Sequence, residues 1–122
     1  MGESTGRLRV HGITNCDTVK KARAWLGQHG VRYDWVDFRT SPPSRDDLVR
    51  WGRVAGWEAL LNRRGTTWKG LDRETQARVR DEATAIALML ERPTLIRRPV
   101  IEIGDEVFLG FDEQGYADRF AP

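Results

Sequence analysis

The chain has 122 residues, 39% hydrophobic and 31% charged, with a formal net charge of +2. That length suits one compact domain able to bury a core without cross-links, and so small a charge does not by itself point to nucleic acid. The one cysteine, Cys16, excludes an intrachain disulfide framework and a structural cysteine cluster, and the two separated histidines, His11 and His29, form no metal-ligand pattern.

In chain order, Met1 to Gly6 is small and polar and reads as a frayed terminus. Arg7 to Ile13 predicts a short strand running into a loop. From Asp17, apolar Val19, Ala22 and Leu26 recur at helical spacing, which predicts a helix to about His29. Gly30 stands where a left-handed C-terminal cap belongs. Val31 to Phe38, rich in β-branched and aromatic residues, predicts a second strand. Strand, helix and strand within about thirty residues make a βαβ unit, which implies parallel strands.

Thr40 to Ser44 is turn chemistry, and Ser44 is a fitting N-cap with Asp46 and Asp47 in the first turn behind it. Leu48, Trp51, Val54 and Ala55 form a helical stripe that Gly56 interrupts, and Trp57 to Leu61 suits one further turn. Gly65-Thr66-Thr67 reads as a loop, Asp72 as the start of another helical section, and Thr84 to Leu90 as an apolar helix stopped before Pro93. Val100 to Ile103 and Glu106 to Leu109 are strands joined by Gly104-Asp105, a pair suited to a primed two-residue turn. Asp112 then caps a last helix reaching about Phe120.

A βαβ half (about residues 7–39), an all-helical insertion (44–92) and a ββα half (98–120) make an α/β, thioredoxin-like plan in a single domain of residues 1–122. That plan places a reactive thiol at the end of the first strand, where Cys16 lies. A thiol at a strand-to-helix junction faces unsatisfied N–H groups and the positive end of a helix dipole, which favour the thiolate. Asp17 beside it works the other way, and Lys20 one turn on partly offsets Asp17. Read alone, a single cysteine is equally a small buried hydrophobe. Position 19 is Val19, so there is no C-x-x-C partner, and any disulfide of Cys16 must join a second molecule.

Arg98 precedes Pro99 at the start of the third strand. A cis bond there would turn the backbone toward the thiol, where an extended peptide such as glutathione could pair with it, and would bring a guanidinium close. A trans proline that merely opens a strand is the alternative. Asn62 to Trp68 holds two arginines, an amide and two hydroxyls, and reads either as a loop closing over an anion or as a surface loop anchored by Trp68. Trp25, Trp35, Trp51 and Trp57 fall on helical or strand stripes that suit the core or a partner surface. His11, five residues before Cys16, reads as a strand-end side chain with a structural hydrogen bond or, alternatively, as a base that reaches the thiol. Residues 45–80 carry nine Lys/Arg against five Asp/Glu, and 102–122 six acids against one Arg. Such a dipolar surface suits a small anionic ligand or an acidic partner, or simply a solvated helical face.

His-Gly-Ile-Thr-Asn-Cys-Asp-Thr followed by Lys-Lys-Ala-Arg, residues 11 to 23 apart from Val19, resembles the ArsC/Spx/YffB family of arsenate-reductase-like proteins. The similarity continues through Gly56 to Asn62, Arg64 to Trp68 and Arg98-Pro99, in order, and covers roughly residues 7–120. It most resembles the YffB-type branch, regarded as glutathione-dependent thiol reductases. The resemblance implies a thioredoxin-like fold with Cys16 as nucleophile and Arg98 before a cis Pro99. Around that nucleophile, Thr14, Asn15, Asn62, Arg64, Arg98 and Pro99 are the expected substrate- or glutathione-binding residues, with Thr14, Asn15 and neighbouring N–H groups holding the thiolate and Arg98 and Arg64 binding anionic groups of glutathione.

Arsenate reductases of the glutaredoxin-linked class surround their cysteine with three arginines, and here only Arg98 matches. Asn62 and Gly110 stand at the other two places. The expected activity is therefore a glutathione-dependent monothiol reductase acting on a small oxidised or disulfide substrate, with no bound cofactor and no metal. The alternatives are an Spx-like regulatory, partner-binding protein, although the C-x-x-C switch of that branch is missing, and a weak arsenate reductase. No apolar run approaches the ~18 residues that span a bilayer, and no charged-then-apolar leader is read. A monomer in the cytoplasm, with no membrane or nucleic-acid partner, is expected.

Overall fold

The computed structural model describes residues 7–121, so the expectation for Met1 to Gly6 lies outside the described residues. In chain order the elements are β1 (Leu8–Gly12), α1 (Asp17–Gln28), β2 (Asp34–Asp37), α2 (Arg45–Ala55), α3 (Trp57–Leu60) and α4 (Thr66–Lys69). There follow α5 (Arg73–Ala77), α6 (Glu82–Glu91), a 3-10 turn at Pro93–Leu95, β3 (Val100–Ile103), β4 (Glu106–Leu109) and α7 (Glu113–Phe120). They fall in two compact units, described residues 7–41 with 98–121, and Pro42–Arg97.

The first unit is a four-stranded sheet of order β2-β1-β3-β4 with helices α1 and α7. β1 and β2 pair parallel, whereas β1 with β3 and β3 with β4 are antiparallel. Leu8 and Val10 of β1 lie opposite Ile103 and Ile101 of β3. These alternate residues share one sheet face and bury it under Ala22, Trp25 and Leu26 of α1 and Tyr116 of α7. Gly30 takes φ 68°, the left-handed cap expected after α1, and its N–H reaches the Gly27 carbonyl. Gly104 takes φ 58° at the first central position of the β3–β4 turn, as a primed turn needs.

The second unit packs α2 against α3 and α6. Its buried residues include Leu48 and Trp51 of α2, Leu60 and Leu61, and Ile86 and Met89 of α6. Ser44 forms a capping box with Asp47: Asp47 N–H donates to the Ser44 hydroxyl at 3.1 Å and Ser44 N–H to the Asp47 carboxylate at 2.9 Å. Asp72 caps α5 by accepting the Thr75 N–H, and Asp81 forms a capping box with Thr84 at the start of α6.

The structure departs from the sequence-based expectations in three places. β2 is shorter than Val31 to Phe38, because only Asp34–Asp37 lies beside β1 in register. Thr66 and Thr67 open a helical turn instead of a loop, with Lys69 and Gly70 N–H groups bonded back to the Gly65 and Thr66 carbonyls. α6 begins at Glu82, two residues early, because Asp81 caps it. Among the described residues no helix is long and apolar enough to cross a membrane.

Candidate active site

The loop from β1 to α1 carries Thr14, Asn15 and Cys16. Cys16 is the N-cap of α1, with an extended backbone (φ −131°, ψ 121°), and its carbonyl accepts the Lys20 N–H at 2.9 Å. Its half-buried side chain makes no capping hydrogen bond. The first-turn N–H groups of a twelve-residue helix have no partners within the helix, so this end of α1 favours an anion.

Parallel pairing brings a second loop to the same sheet edge. The Phe38 N–H donates to the Gly12 carbonyl at 2.8 Å, which carries the β1–β2 ladder past the end of β2. Asp37 then turns the chain: its carboxylate accepts the Arg39 N–H at 2.9 Å and its carbonyl the Ser41 N–H at 2.7 Å. From this turn Arg39 donates through Nη2 to Asn15 Oδ1 at 2.7 Å. Sequence reasoning passed over Arg39. Its signal was its place just after a strand predicted to run parallel to β1.

The Arg98–Pro99 peptide bond is cis. Because His11 lies opposite Val100 in the antiparallel β1–β3 pair, Pro99 comes to the Gly12 end of β1, the edge that bears the Cys16 loop. The Pro99 carbonyl accepts the Gly110 N–H at 2.9 Å, and the Gly110 carbonyl accepts the Tyr116 hydroxyl at 2.5 Å. Burial, reinforced by the Asp112 carboxylate, pushes the Tyr116 hydroxyl well above the usual tyrosine range. Gly110 takes φ 74°, a left-handed conformation that a side chain would strain. His11 behaves as a structural group: its Nε2 lies 2.9 Å from Glu102 Oε1, and both residues are buried.

Asn62 and Arg64 belong to the second unit. The Asn62 N–H donates to the Leu95 carbonyl at 2.8 Å, and Asn62 Oδ1 accepts the Arg64 N–H at 3.0 Å. Gly65 leaves room for that amide, since a Cβ there would lie 2.9 Å from Asn62 Nδ2. Asn62, Arg63, Arg64, Arg97 and Glu58 line a cavity of about 210 Å³. Arg63 lies over both Trp57 and Trp68, with its guanidinium carbon 5.8 and 5.5 Å from the ring centres. Thus Thr14, Asn15, Cys16, Arg98 and Pro99 gather at one sheet edge in the first unit, and Asn62 and Arg64 share a cationic cavity in the second. No group of three or more His, Cys, Asp or Glu among the described residues could hold a metal ion.

Comparison with known proteins gives a consistent result. The model of the ArsC family matches residues 11–119. A solved YffB protein is similar at 45% identity and a TM-score of 0.88, over 93% of this chain and 99% of that one. An arsenate reductase (ArsC) related protein from Brucella melitensis is similar at 38% identity and a TM-score of 0.75, over 93% of this chain and 94% of its own. The global transcriptional regulator Spx of Streptococcus mutans is 33% identical over 101 residues, 81% of this chain and 72% of that protein.

Proposed function

We propose that this chain, which belongs to the ArsC family, is a monothiol oxidoreductase in which Cys16 is the nucleophile and glutathione the reductant. The observation that carries the reading is Cys16 at the N-cap of α1, on the sheet edge where Arg98 and Pro99 enter β3. The Cys16 thiolate attacks one sulfur of a disulfide substrate, forming a mixed disulfide and expelling the other sulfur as a thiolate. A glutathione thiolate then attacks the substrate sulfur, releasing Cys16 and carrying that sulfur away as a new disulfide. With Val19 at the place of a resolving cysteine, an external thiol is required.

In this reading the Thr14–Asn15 backbone steadies the sulfur, while Arg98 binds anionic groups of glutathione and Pro99 borders them. Asn62 and Arg64 are the further binding residues of this reading, and within the second unit they line a cationic cavity. The chain acts as a monomer in a reducing, cytoplasmic setting, with no bound cofactor. Arsenate is a weak substrate at best: Asn62 and Gly110 replace two arginines, and the φ of 74° at Gly110 disfavours any side chain there.

Similarity to Spx favours a second reading, a regulatory protein that binds a partner without turnover. The test is thiol-reductase activity with glutathione in the wild type, Cys16→Ser and Arg98→Ala, with intact-mass detection of a glutathione adduct on Cys16. Loss of turnover in both variants with their folds intact, and an adduct on the wild type, supports catalysis. No adduct and no turnover sinks it, and partner capture that survives Cys16→Ser supports the regulatory reading.

A further inference from the structure

We propose that Arg39 is an anion-binding residue of the Cys16 loop, tethered by Asn15 and available to a carboxylate or similar oxyanion on the molecule that meets the sulfur. This rests on the reading of Cys16 as the reactive group. Three observations build the site. The Phe38–Gly12 hydrogen bond aligns the ends of β1 and β2, and the Asp37 turn aims Arg39 back across that edge. The guanidinium then meets Asn15, the residue before Cys16, at 2.7 Å.

The chemistry of its hydrogen-bond partner separates Arg39 from Arg7 and Arg119 of the first unit. Arg7 is held by Asp34 and Arg119 by Glu106, so carboxylates cancel both charges. Arg39 is held by an amide. An amide oxygen fixes one donor of the fork without neutralising it, and among the described residues no carboxylate forms an ion pair with Arg39. A guanidinium carries five N–H donors in a rigid plane, and a carboxylate needs two of them side by side. With one donor on Asn15, Arg39 retains enough for bidentate recognition, and its exposure leaves them reachable.

Distance sets the size of the effect. Adjacent Cα atoms lie about 3.8 Å apart, so chain geometry keeps the tethered nitrogen within roughly 13 Å of the Cys16 sulfur. That is comparable with the Debye length of about 8 Å at physiological salt, so field alone gives a small, salt-sensitive preference for anionic reagents. Direct contact with a bound carboxylate adds to it.

The test compares alkylation of Cys16 by iodoacetate and by iodoacetamide in the full chain, followed by intact mass. Both reagents meet the same thiolate, so the ratio of their rates cancels any change in its population. Arg39→Gln should lower the iodoacetate-to-iodoacetamide ratio about two- to fourfold at low salt, Asn15→Ala should lower it less, and Arg39→Lys should restore part of it. Salt at about 1 M should erase the difference. Arg32→Gln, at the opposite end of β2, should leave the ratio unchanged. An unchanged ratio in Arg39→Gln, or an equal fall in Arg32→Gln, overturns the proposal. The assay contains no glutathione, so failure of glutathione dependence leaves its outcome intact. A Cys16 inert to both reagents overturns the reading beneath it, and this proposal with it.

Discussion

Replacing Tyr116 by Phe removes a single oxygen from the first unit and should leave a signature in both stability and pH dependence. Tyr116 is 3% exposed, and its ring meets Trp25, Phe111 and Phe120 edge-on at 5.6, 5.0 and 5.5 Å. Phe keeps those contacts. What goes is the hydroxyl's bond to the Gly110 carbonyl, leaving that oxygen short of a donor. The cost at neutral pH should be about 1–2 kcal/mol, or roughly 3–8 °C in Tm for a chain of this size.

The folded protein holds the Tyr116 proton more tightly than the unfolded chain does, through burial first and Asp112 second. Below about pH 10 both states keep the proton, and the full contribution is present. Above it the unfolded chain ionises while the folded state does not, so stability falls by about 1.4 kcal/mol per pH unit. Tyr116→Phe lacks that limb. Urea unfolding of both proteins between about pH 7 and pH 11 should therefore show a gap that closes above about pH 10. No gap at neutral pH, or one that stays constant to high pH, would refute the reasoning. The same substitution reaches the site, because the Gly110 N–H holds the Pro99 carbonyl beside the Cys16 loop.

Two further outcomes test the second unit. The Asp81 carboxyl is held below the usual carboxylate range, chiefly by the Thr84 backbone N–H and then by its hydroxyl, and Asp72 likewise by Thr75. Lowered folded-state values mean a contribution present above about pH 4 and lost as pH falls through them, so Asp81→Ala should flatten the acid limb of an unfolding profile; an unaltered limb would count against the cap. Gly65→Ala should push the Asn62 amide aside and break its bond to the Arg64 N–H, costing about 1 kcal/mol in a denaturant melt. A neutral Gly65→Ala would mean that the amide is not held there.

The caps at Ser44, Asp72 and Asp112 were legible because their physics is local, although the equally local Asp81 cap of α6 was missed. Ser44, Asp72 and Asp112 each bond to an N–H within three residues, and Gly30 answers to its own φ, so a short window of sequence contains both partners. The turn at Thr66 was not legible. Gly-Thr-Thr has no strong preference, and its helical form is tied to more distant residues, such as Gln76, whose side chain bonds the Trp68 carbonyl.

By itself the sequence determined the order βαβ, helices, ββα, the strand-to-helix placement of its one cysteine, and, through a series of motifs, the family. Periodicity and capping act over a few residues, and motifs survive as strings. Only the tertiary structure brought Arg39 to the Cys16 loop and gave His11 its partner. Arg39 meets Asn15 across 24 positions, and His11 meets Glu102 across 91. Those meetings depend on strand direction and register, because a parallel β1–β2 pair and an antiparallel β1–β3 pair bring distant loops to one end of the sheet. No local pattern in the chain encodes that register.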